Sequence, residues 1–335
     1  MAVTIRAVAE AAGVSLSTVS RAFTMPEQVK PQTLQRVLAA AAELGYAPNP
    51  AARSLRGLGT GTLGLIIPDI ANPFFPPIVK AMQARARRHG YTVLVADSDE
   101  QEADELETIS SVARRVDGLV LWASTLDEDR LAELADRMPL VLVNRHVPGV
   151  PEVRVSLAAG ISQAAEHLRA YGHRHCVFVN ASRPELARGK SIHEAFEAAD
   201  LTLTEIGPYE PGFETGVFAA PLAMAHDATA VLAHNDLVAL GVLHKLAGLG
   251  VSVPGEMSVV GIDDTLLASV STPSLTTIRI APDELAARAA DLLIDGVARR
   301  SGTDTGAGTG TGTAPIVEVG SRLVPRASTG PAPNR

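Results

Sequence analysis

The sequence of 335 residues contains a single cysteine, Cys176, and only 4% aromatic residues, with one tryptophan. One cysteine excludes a disulfide framework within the chain and is typical of proteins that work in a reducing compartment. No uninterrupted apolar run reaches membrane-spanning length, and Arg6 and Glu10 interrupt the N-terminal stretch where a secretory signal would be apolar. We therefore expect a soluble, cytoplasmic protein.

The motifs of an enzyme or a metalloprotein are also missing. There is no phosphate-binding loop, no Ser/His/Asp order of a catalytic triad and no His or Cys spacing typical of a metal site. The pairs Asn235-Asp236 and Asp263-Asp264, together with the isolated Cys176 and His193, leave an enzyme as an alternative. We predict no catalytic residue, no metal and no cofactor.

Apolar residues are abundant, at 46% against 20% charged residues, and this balance allows a sizeable core. The length exceeds that of one typical domain. Charge is divided unevenly along the chain. Residues 1–60 carry six cationic and three anionic side chains, a net charge of +3, whereas the remaining residues carry 23 cationic and 34 anionic side chains, a net charge of −11. A small basic unit joined to a large acidic one favours nucleic-acid binding by the basic unit.

The basic unit begins with a predicted helical hairpin. Thr4 can cap a first helix with one apolar face, and Gly13 can end that helix in the left-handed conformation. Ser15 can cap a second helix whose inward residues are Val19 and Ala22. Two short helices around a glycine turn are typical of a helix-turn-helix, whose second helix enters the DNA major groove. An amphipathic hairpin without DNA binding is the alternative.

A third helix completes the predicted DNA-binding domain, residues 1–46. It spans residues 31–44 and ends at Gly45. The residues expected to cover the first two helices are Leu34, Val37, Leu38, Ala41 and Leu44. The outward face of the second helix offers short hydroxyls and a forked cation, which suit phosphates and base edges: Leu16, Ser17, Thr18, Ser20 and Arg21.

Residues 47–60 form a predicted hinge and linker. Asn49 can cap and Pro50 can start a helix of under two turns, which is too short to persist unaided. Such a helix requires packing on a partner or on DNA. A flexible linker is the alternative, and the glycines of residues 57–61 favour it there.

From residue 61 to residue 329, apolar strands alternate with amphipathic helices. The predicted strands are residues 62–68, 91–96, 118–123, 140–144, 176–180, 230–235, 259–263 and 316–326. The predicted helices are residues 76–90, 102–116, 127–137, 158–171, 190–200, 236–249 and 283–299. This alternation predicts two α/β lobes with parallel sheets covered on both faces. Residues 301–314 read as a Gly/Thr linker, and residues 330–335 as a disordered tail.

Parallel sheets bind ligands beyond the carboxyl ends of their strands. Polar and aromatic residues follow the predicted strands: Asp69, Asn72, Phe74, Phe75, Asp97, Trp122, Ser124, Asn144, Arg145, Arg188, Lys190, Asn235, Asp236, Asp263 and Asp264. A single strand-end Asp more often caps the next helix. The whole set predicts a cleft for a small polar ligand such as a sugar or nucleobase.

Several segments together resemble one family of proteins. VTIRAVAEAAGVSLSTVSRAF, LGYAPNPAARSLR, GLIIPDIANPFF, RVDGLVL, HNDLVALG, VPGEMSVVGIDD and TPSLTTI occur in the order and spacing of the lactose-repressor (LacI/GalR) family of bacterial transcription regulators, over residues 3–329. The resemblance implies an all-α helix-turn-helix head and a two-lobed α/β effector domain with parallel sheets, like that of periplasmic sugar-binding proteins. It also implies a homodimer, or a dimer of dimers, on a palindromic double-stranded DNA operator.

The resemblance assigns roles residue by residue. Leu16, Ser17 and Arg21 match base-reading positions, and residues 50–56 match a hinge helix whose Leu55 is a minor-groove wedge. The DNA-binding set is Thr4, Ser15, Leu16, Ser17, Thr18, Ser20, Arg21, Asn49, Ala52, Arg53 and Leu55. The effector-binding set is Phe74, Phe75, Trp122, Arg145, Lys190, Asn235 and Asp263. The implied lobe crossings lie near residues 156–160, near residue 280 and in residues 301–316.

Three departures from the family pattern leave the effector open. Ser156-Leu157 replaces an Asp-Asn pair common in sugar-responsive members, residues 190–194 depart from an Arg-x-x-Gly-Phe stretch, and Ile280 replaces a Gln. The resemblance implies a repressor controlled by a small polar effector, most often a sugar, through induction or corepression. A small-molecule binding or transport protein without specific DNA binding is the alternative.

Overall fold

The computed structural model describes residues 3–24, 28–46, 59–99, 102–180, 189–302 and 314–334. The chain divides into two compact units, Met1–Gly61 and Thr62–Arg335. The helices are α1 (Ile5–Ala12), α2 (Leu16–Thr24), α3 (Pro31–Leu44), α4 (Phe75–Arg88), α5 (Glu102–Ala113), α6 (Glu128–Arg137), α7 (Ala158–Ala170), α8 (Gly189–Ala198), α9 (Phe213–Ala225), α10 (Asp236–Gly248), α11 (Leu266–Val270) and α12 (Pro282–Arg300). The strands are β1 (Thr62–Ile67), β2 (Thr92–Asp97), β3 (Gly118–Trp122), β4 (Leu140–Val143), β5 (Glu152–Ser156), β6 (His175–Val179), β7 (Thr202–Ile206), β8 (Ala230–Ala233), β9 (Ser258–Asp263), β10 (Thr276–Ile280) and β11 (Ile316–Val324).

The first unit packs α1, α2 and α3 around a small core. Thr4 caps α1 by accepting a hydrogen bond from a backbone N–H of the first turn, and Gly13 ends the helix at φ 62° in the left-handed region. Val8, Val19 and Val37, one from each helix, are fully buried. The predicted helix-turn-helix and its capping residues are confirmed.

The expected inward face of α3 is wrong at two positions. Leu38 and Leu44 are 44% and 37% exposed, whereas Val37, Ala40 and Ala41 are buried. The small side chains of Ala40 and Ala41 allow α3 to approach the other two helices closely. Fewer positions of α3 are therefore buried than the apolar pattern predicts.

In the second unit the described strands pair in the order β2-β1-β3-β4-β5-β11-β10-β9-β8-β6-β7. Every pairing is parallel except that of β10 with β11. Successive residues of β1 enter different cores, since Leu65 packs in one hydrophobic cluster and Ile66 in another. Both faces of the sheet are therefore covered, which confirms the predicted α/β architecture. Within the described part of the chain, no helix combines the length and apolarity that crossing a bilayer requires.

Strand β11 pairs with both lobes. Ile316 to Gly320 run parallel to β5 of the first lobe, and Ser321 to Val324 run antiparallel to β10 of the second. The chain therefore passes between the lobes at Gly320-Ser321, and the expectation of a passage in residues 301–316 is wrong. It also passes after β10, because α12 packs on α4, β3 and β4, and after β5, because α7 packs on α8 and β10.

The predicted disordered tail is wrong as well. Gly330 N donates a hydrogen bond to Ser258 Oγ (3.1 Å), and Ala332 N donates one to Tyr171 O (2.8 Å). Residues 330–334 thus lie along the second lobe, held by hydrogen bonds of their backbone N–H groups. Such bonds leave no apolar pattern from which the sequence could have predicted them. Five further elements have no counterpart among the predicted ones: β5, β7, β10, α9 and α11.

The attachment of the C-terminal segment can be tested at Ser328, which is fully buried. Its Oγ donates to Val259 O (2.6 Å) and accepts from Thr276 N (2.8 Å). Ser328→Ala should lower the free energy of unfolding by about 1–3 kcal/mol in urea denaturation, because two buried backbone groups lose their partner. Ser269→Ala is the matched control, since that exposed hydroxyl bonds only Leu266 O. Equal effects of the two substitutions would contradict the assignment.

Candidate functional site

The exposed face of α2 carries an ordered set of hydroxyls. Ser15 Oγ lies 2.8 Å from Ser17 Oγ and 2.9 Å from Thr18 Oγ1, and it accepts a hydrogen bond from Thr18 N. Arg21 Nε donates to Ser17 O (3.3 Å), and Leu16 beside them is 43% exposed. This face offers preordered hydroxyls and an exposed guanidinium, which suit phosphate oxygens and base edges.

A groove of about 440 Å³ lies where α2 meets the start of α3. Its lining residues are Val14, Ser15, Thr18, Arg21, Gln28, Val29, Lys30, Thr33 and Arg36. Three of these nine are cations, three carry hydroxyls and none is acidic. Backbone N–H groups at the start of a helix add positive potential, so the groove suits an anion such as a phosphate.

Four polar lining residues are absent from the set predicted from the sequence: Gln28, Lys30, Thr33 and Arg36. Lys30 occupies the N-cap position of α3 and makes no side-chain capping bond. A cation at the cap position of α3 is the signal that could have found this group. Lys30 thus places a positive charge at a position where a neutral side chain could cap the first N–H groups of α3.

The remaining predicted DNA-binding residues divide into two groups. Asn49, Ala52, Arg53 and Leu55, with the rest of the predicted hinge, lie outside the described residues. Thr4 caps α1, and Ser20 lies half-buried on α2.

In the second unit, an aromatic cluster forms at the carboxyl ends of β1 and β3. The ring centroids of Phe74 and Phe75 are 5.4 Å apart, and those of Trp122 lie 5.9 Å and 5.6 Å from them. All three contacts are edge-to-face, the geometry that aromatic quadrupoles favour. The structure therefore brings together three of the predicted effector residues in one buried wall.

Arg145 follows β4 and is half-buried. Its Nη2 donates to Leu126 O (3.1 Å), whereas its Nε is buried without a hydrogen-bond partner. The loop that supplies this carbonyl is held by Glu105, whose Oε2 accepts from Thr125 N (2.8 Å) and Thr125 Oγ1 (2.6 Å). Glu105 is a positioning residue that the sequence did not single out.

Asn235 lies just after β8, and Asp263 is the last residue of the neighbouring strand β9 of the second lobe. Asn235 Oδ1 caps α10 by accepting from Val238 N (2.9 Å). Asp263 is buried at φ 127°, and Asp264 after it is at φ 60°. Two successive non-glycine residues at positive φ indicate backbone strain, which persists only where the surroundings hold it.

Two neighbouring acids hold this strained turn. Asp264 forms ion pairs with Arg326 and with Arg279 (3.3 Å). Fully buried Asp236 accepts from Thr277 Oγ1 (2.6 Å) and, through its other oxygen, from Thr265 N (2.7 Å). The turn is thereby tied to α10, α11 and β10.

Burial raises the pKa of Asp236 to about 6, although hydrogen bonds from Thr277 and Thr265 act in the opposite direction. Asp236 is therefore a buried carboxyl group that holds the turn in place. Its burial explains the raised pKa without a catalytic role.

No contact within the described residues joins Lys190 to the other predicted effector residues. Its side chain is 87% exposed, and its Nζ lies 3.8 Å from Glu194 Oε1. Arg188, which precedes it, lies outside the described residues.

The Asp236 environment predicts a pH dependence of stability. Because its pKa is raised from an ordinary value near 3.8 to about 6, the folded state binds the proton more tightly, so its contribution to the free energy of unfolding falls as the pH rises from about 4 to 6. Asp236→Asn should remove this part of the pH slope in urea denaturation. The exposed Asp295→Asn should keep the wild-type slope, and an unchanged slope in Asp236→Asn would exclude the assignment.

Two family models match the chain. Residues 4–49 match the model for bacterial regulatory proteins of the lacI family, and residues 165–329 match the periplasmic binding protein-like domain. These matched regions contain α1 to α3 and most of the second lobe.

Curated relatives match nearly the whole chain. The transcriptional regulator GalS of Salmonella typhimurium is 32% identical over 307 residues, covering 88% of this chain and 90% of its own. The transcriptional repressor CytR of Escherichia coli is 31% identical over 331 residues, covering 96% of each. Among solved structures, the lac repressor dimer bound to operator and an anti-inducer has a TM-score of 0.78 at 26% identity, covering 98% of this chain and 100% of that one. A transcriptional regulator CelR–cellobiose complex has a TM-score of 0.69 at 26% identity, with 97% and 99% covered.

Proposed function

Because the chain belongs to the LacI family of bacterial regulatory proteins, which are transcription regulators with a helix-turn-helix head and an effector domain, we propose that it is a repressor controlled by a small polar effector. The relatives are transcriptional regulators, which confirms the prediction of a regulator over that of an enzyme. It would act in the cytoplasm, on double-stranded DNA.

The basic groove beside α2 is the observation that carries the DNA-binding half of the proposal. Leu16, Ser17 and Arg21 on the exposed face would read base edges, while Lys30 and Thr33 at the start of α3 would meet phosphates. The uneven charge supports this orientation, since the second unit is strongly acidic and DNA repels it.

A dimer on a palindromic operator is supported by apolar residues left exposed in the second lobe. Phe218 on α9 is 59% exposed, and Leu266 and Val270 on α11 are 76% and 65% exposed. Helix α10 packs against both of these helices, so the apolar positions lie on neighbouring elements. Exposed apolar side chains on neighbouring helices are typical of a protein interface, and a two-fold axis would bury them in both copies. The lac repressor relative was solved as a dimer on operator.

The effector would bind between the aromatic wall of the first lobe and the Asn235 and Asp263 ends of the second. An apolar wall facing a few convergent polar groups suits a sugar-sized polar ligand. The CelR relative was solved with cellobiose, which supports a sugar. A ligand can change DNA affinity only by its differential affinity for two lobe arrangements, and both induction and corepression satisfy this condition.

The DNA-binding half is tested by gel shift with the DNA upstream of the gene. Arg21→Ala should weaken the specific complex by about 1–3 kcal/mol, because a base contact is lost. Lys30→Ala should weaken specific and non-specific complexes alike and lower the salt slope by about 1, because one phosphate contact is lost. Sedimentation of the complex should give two chains per operator.

Lys80→Ala is the control for these variants, since Lys80 is exposed on α4 of the second unit and should leave DNA affinity unchanged. Absence of a specific complex in every ligand state would reject the proposed function and favour a small-molecule binding protein.

The effector half is tested by fluorescence of Trp122, the one tryptophan in the sequence. A ligand that enters the cleft changes the surroundings of the aromatic wall, so any compound that alters operator binding should change the emission. Compounds without effect on operator binding serve as controls. If an active compound leaves the emission unchanged, Trp122 does not line the effector site.

A further inference from the structure

Arg145 is an unneutralised cation at the carboxyl ends of the first-lobe strands. Within the described residues it forms no ion pair, and its one hydrogen bond goes to the neutral carbonyl of Leu126. Its Nε–H is buried and unsatisfied. A buried donor without an acceptor destabilises the protein, and a partly desolvated charge without a counter-charge does so further. Such a group is stable in a complex if the ligand brings the missing anion.

Acidic residues that also follow first-lobe strands are engaged elsewhere. Asp69 accepts from Ala71 N (2.7 Å), and Asp97 accepts from Ile70 N (2.7 Å), so both shape the loop after β1. Glu105 is bound to the loop after β3. These three carboxylates are turned to backbone N–H groups and do not pair with Arg145.

The segment leading to the lobe crossing supplies no free acid either. Glu152 on β5 is held by Arg154 (2.8 Å) and His146 (2.9 Å). Ser156 and Leu157, at the crossing itself, are uncharged. The first-lobe side of the cleft therefore presents an aromatic wall and a cation without a paired carboxylate.

On the second-lobe side, the described residues present different groups. Asp263, on its strained turn, and Asn235 at the start of α10 present an acid and an amide. A carboxylate accepts hydrogen bonds from neutral hydroxyls, and an amide both accepts and donates them. The two sides thus distinguish the two ends of a ligand.

We propose that the effector is an acidic sugar, whose carboxylate or phosphate binds Arg145 while its hydroxyls face Asp263 and Asn235. This inference rests on the proposed function, because it specifies the ligand of that cleft. A guanidinium binds carboxylate and phosphate oxygens through two parallel N–H donors, which a neutral hydroxyl cannot match. The acid group therefore gives the selectivity, and the aromatic wall binds the sugar ring.

The test compares matched ligands on the full-length protein by isothermal titration calorimetry. Each series contains a neutral sugar (glucose, galactose or ribose) with its uronate, its aldonate and its terminal phosphate, where these exist. At least one acidic member should bind at least about 10-fold more tightly than its neutral parent, as a charge-assisted pair provides. Comparing the affinities of uronates and aldonates with those of sugar phosphates shows whether the site prefers a carboxylate or a phosphate. Acetate and inorganic phosphate should not reproduce the binding, because they lack the hydroxyls.

Variants assign the effect to Arg145. Arg145→Gln should weaken the acidic ligand by about 10- to 100-fold and change binding of its neutral parent by less than about 3-fold. Arg145→Lys should retain part of the preference, since the charge remains. Arg288→Gln is the control, because that arginine on α12 is exposed and paired with Glu284. Unchanged operator binding without ligand verifies that each variant is folded.

Three results would overturn the inference: neutral sugars that bind as tightly as their acids, no binding by any acidic member, or equal loss of acidic and neutral ligands in Arg145→Gln. An operator complex that responds only to a neutral sugar would reject the acidic effector and leave the repressor standing. A missing operator complex would reject the repressor, whatever the calorimetry gives.

Discussion

The second unit depends on one shared strand. β11 pairs parallel with β5 through Gly320 and antiparallel with β10 from Ser321, so a single backbone joins the sheets of both lobes. Ser321 Oγ also accepts a hydrogen bond from Gly160 N, which ties α7 to this junction. Any change in lobe arrangement has to be absorbed here and at the passages after β5 and β10. A ligand that binds between the lobes, as proposed, would favour one arrangement over another close to these passages.

The second-lobe residues proposed to meet the effector are held in place by neighbouring acidic side chains. Asp263 lies on a strained turn, and Asp236 and Asp264 hold that turn through buried hydrogen bonds and ion pairs. Paired carboxylates in a cleft could indicate an enzyme. Here each supporting carboxylate is saturated by Thr or Arg donors, which explains its burial by structure alone. The same support places Thr265 at the start of α11, directly beside the residues proposed to meet the effector.

Local patterns correctly predicted the head and the α/β alternation, because each is encoded in a few consecutive residues, whereas the strand-end cleft stays a prediction. They failed where long-range packing decides. Helix α9 contains Pro221 and is apolar on most sides, and its Gly216 meets the backbone of α10 at Gly241, so no amphipathic contrast marks it. Strand β7 is an edge strand with a half-exposed pattern, and residues 330–334 are held by hydrogen bonds to Ser258 Oγ and Tyr171 O, which leave no apolar pattern in the sequence. The Glu105 support and the Lys30 groove likewise depend on residues distant in sequence from their partners.

The use of charge distinguishes structural residues from binding residues in both units. In the second unit, arginines at structural positions are paired, as in Arg85 with Asp291 (2.6 Å) and Arg154 with Glu152. In the first unit, Arg21 and Lys30 line a groove without an acidic residue, and that groove suits the phosphates of DNA. Arg145 resembles the groove cations in lacking a carboxylate partner within the described residues. A partly buried cation without an internal partner is unfavourable for stability, and the anionic ligand proposed for Arg145 would supply that partner.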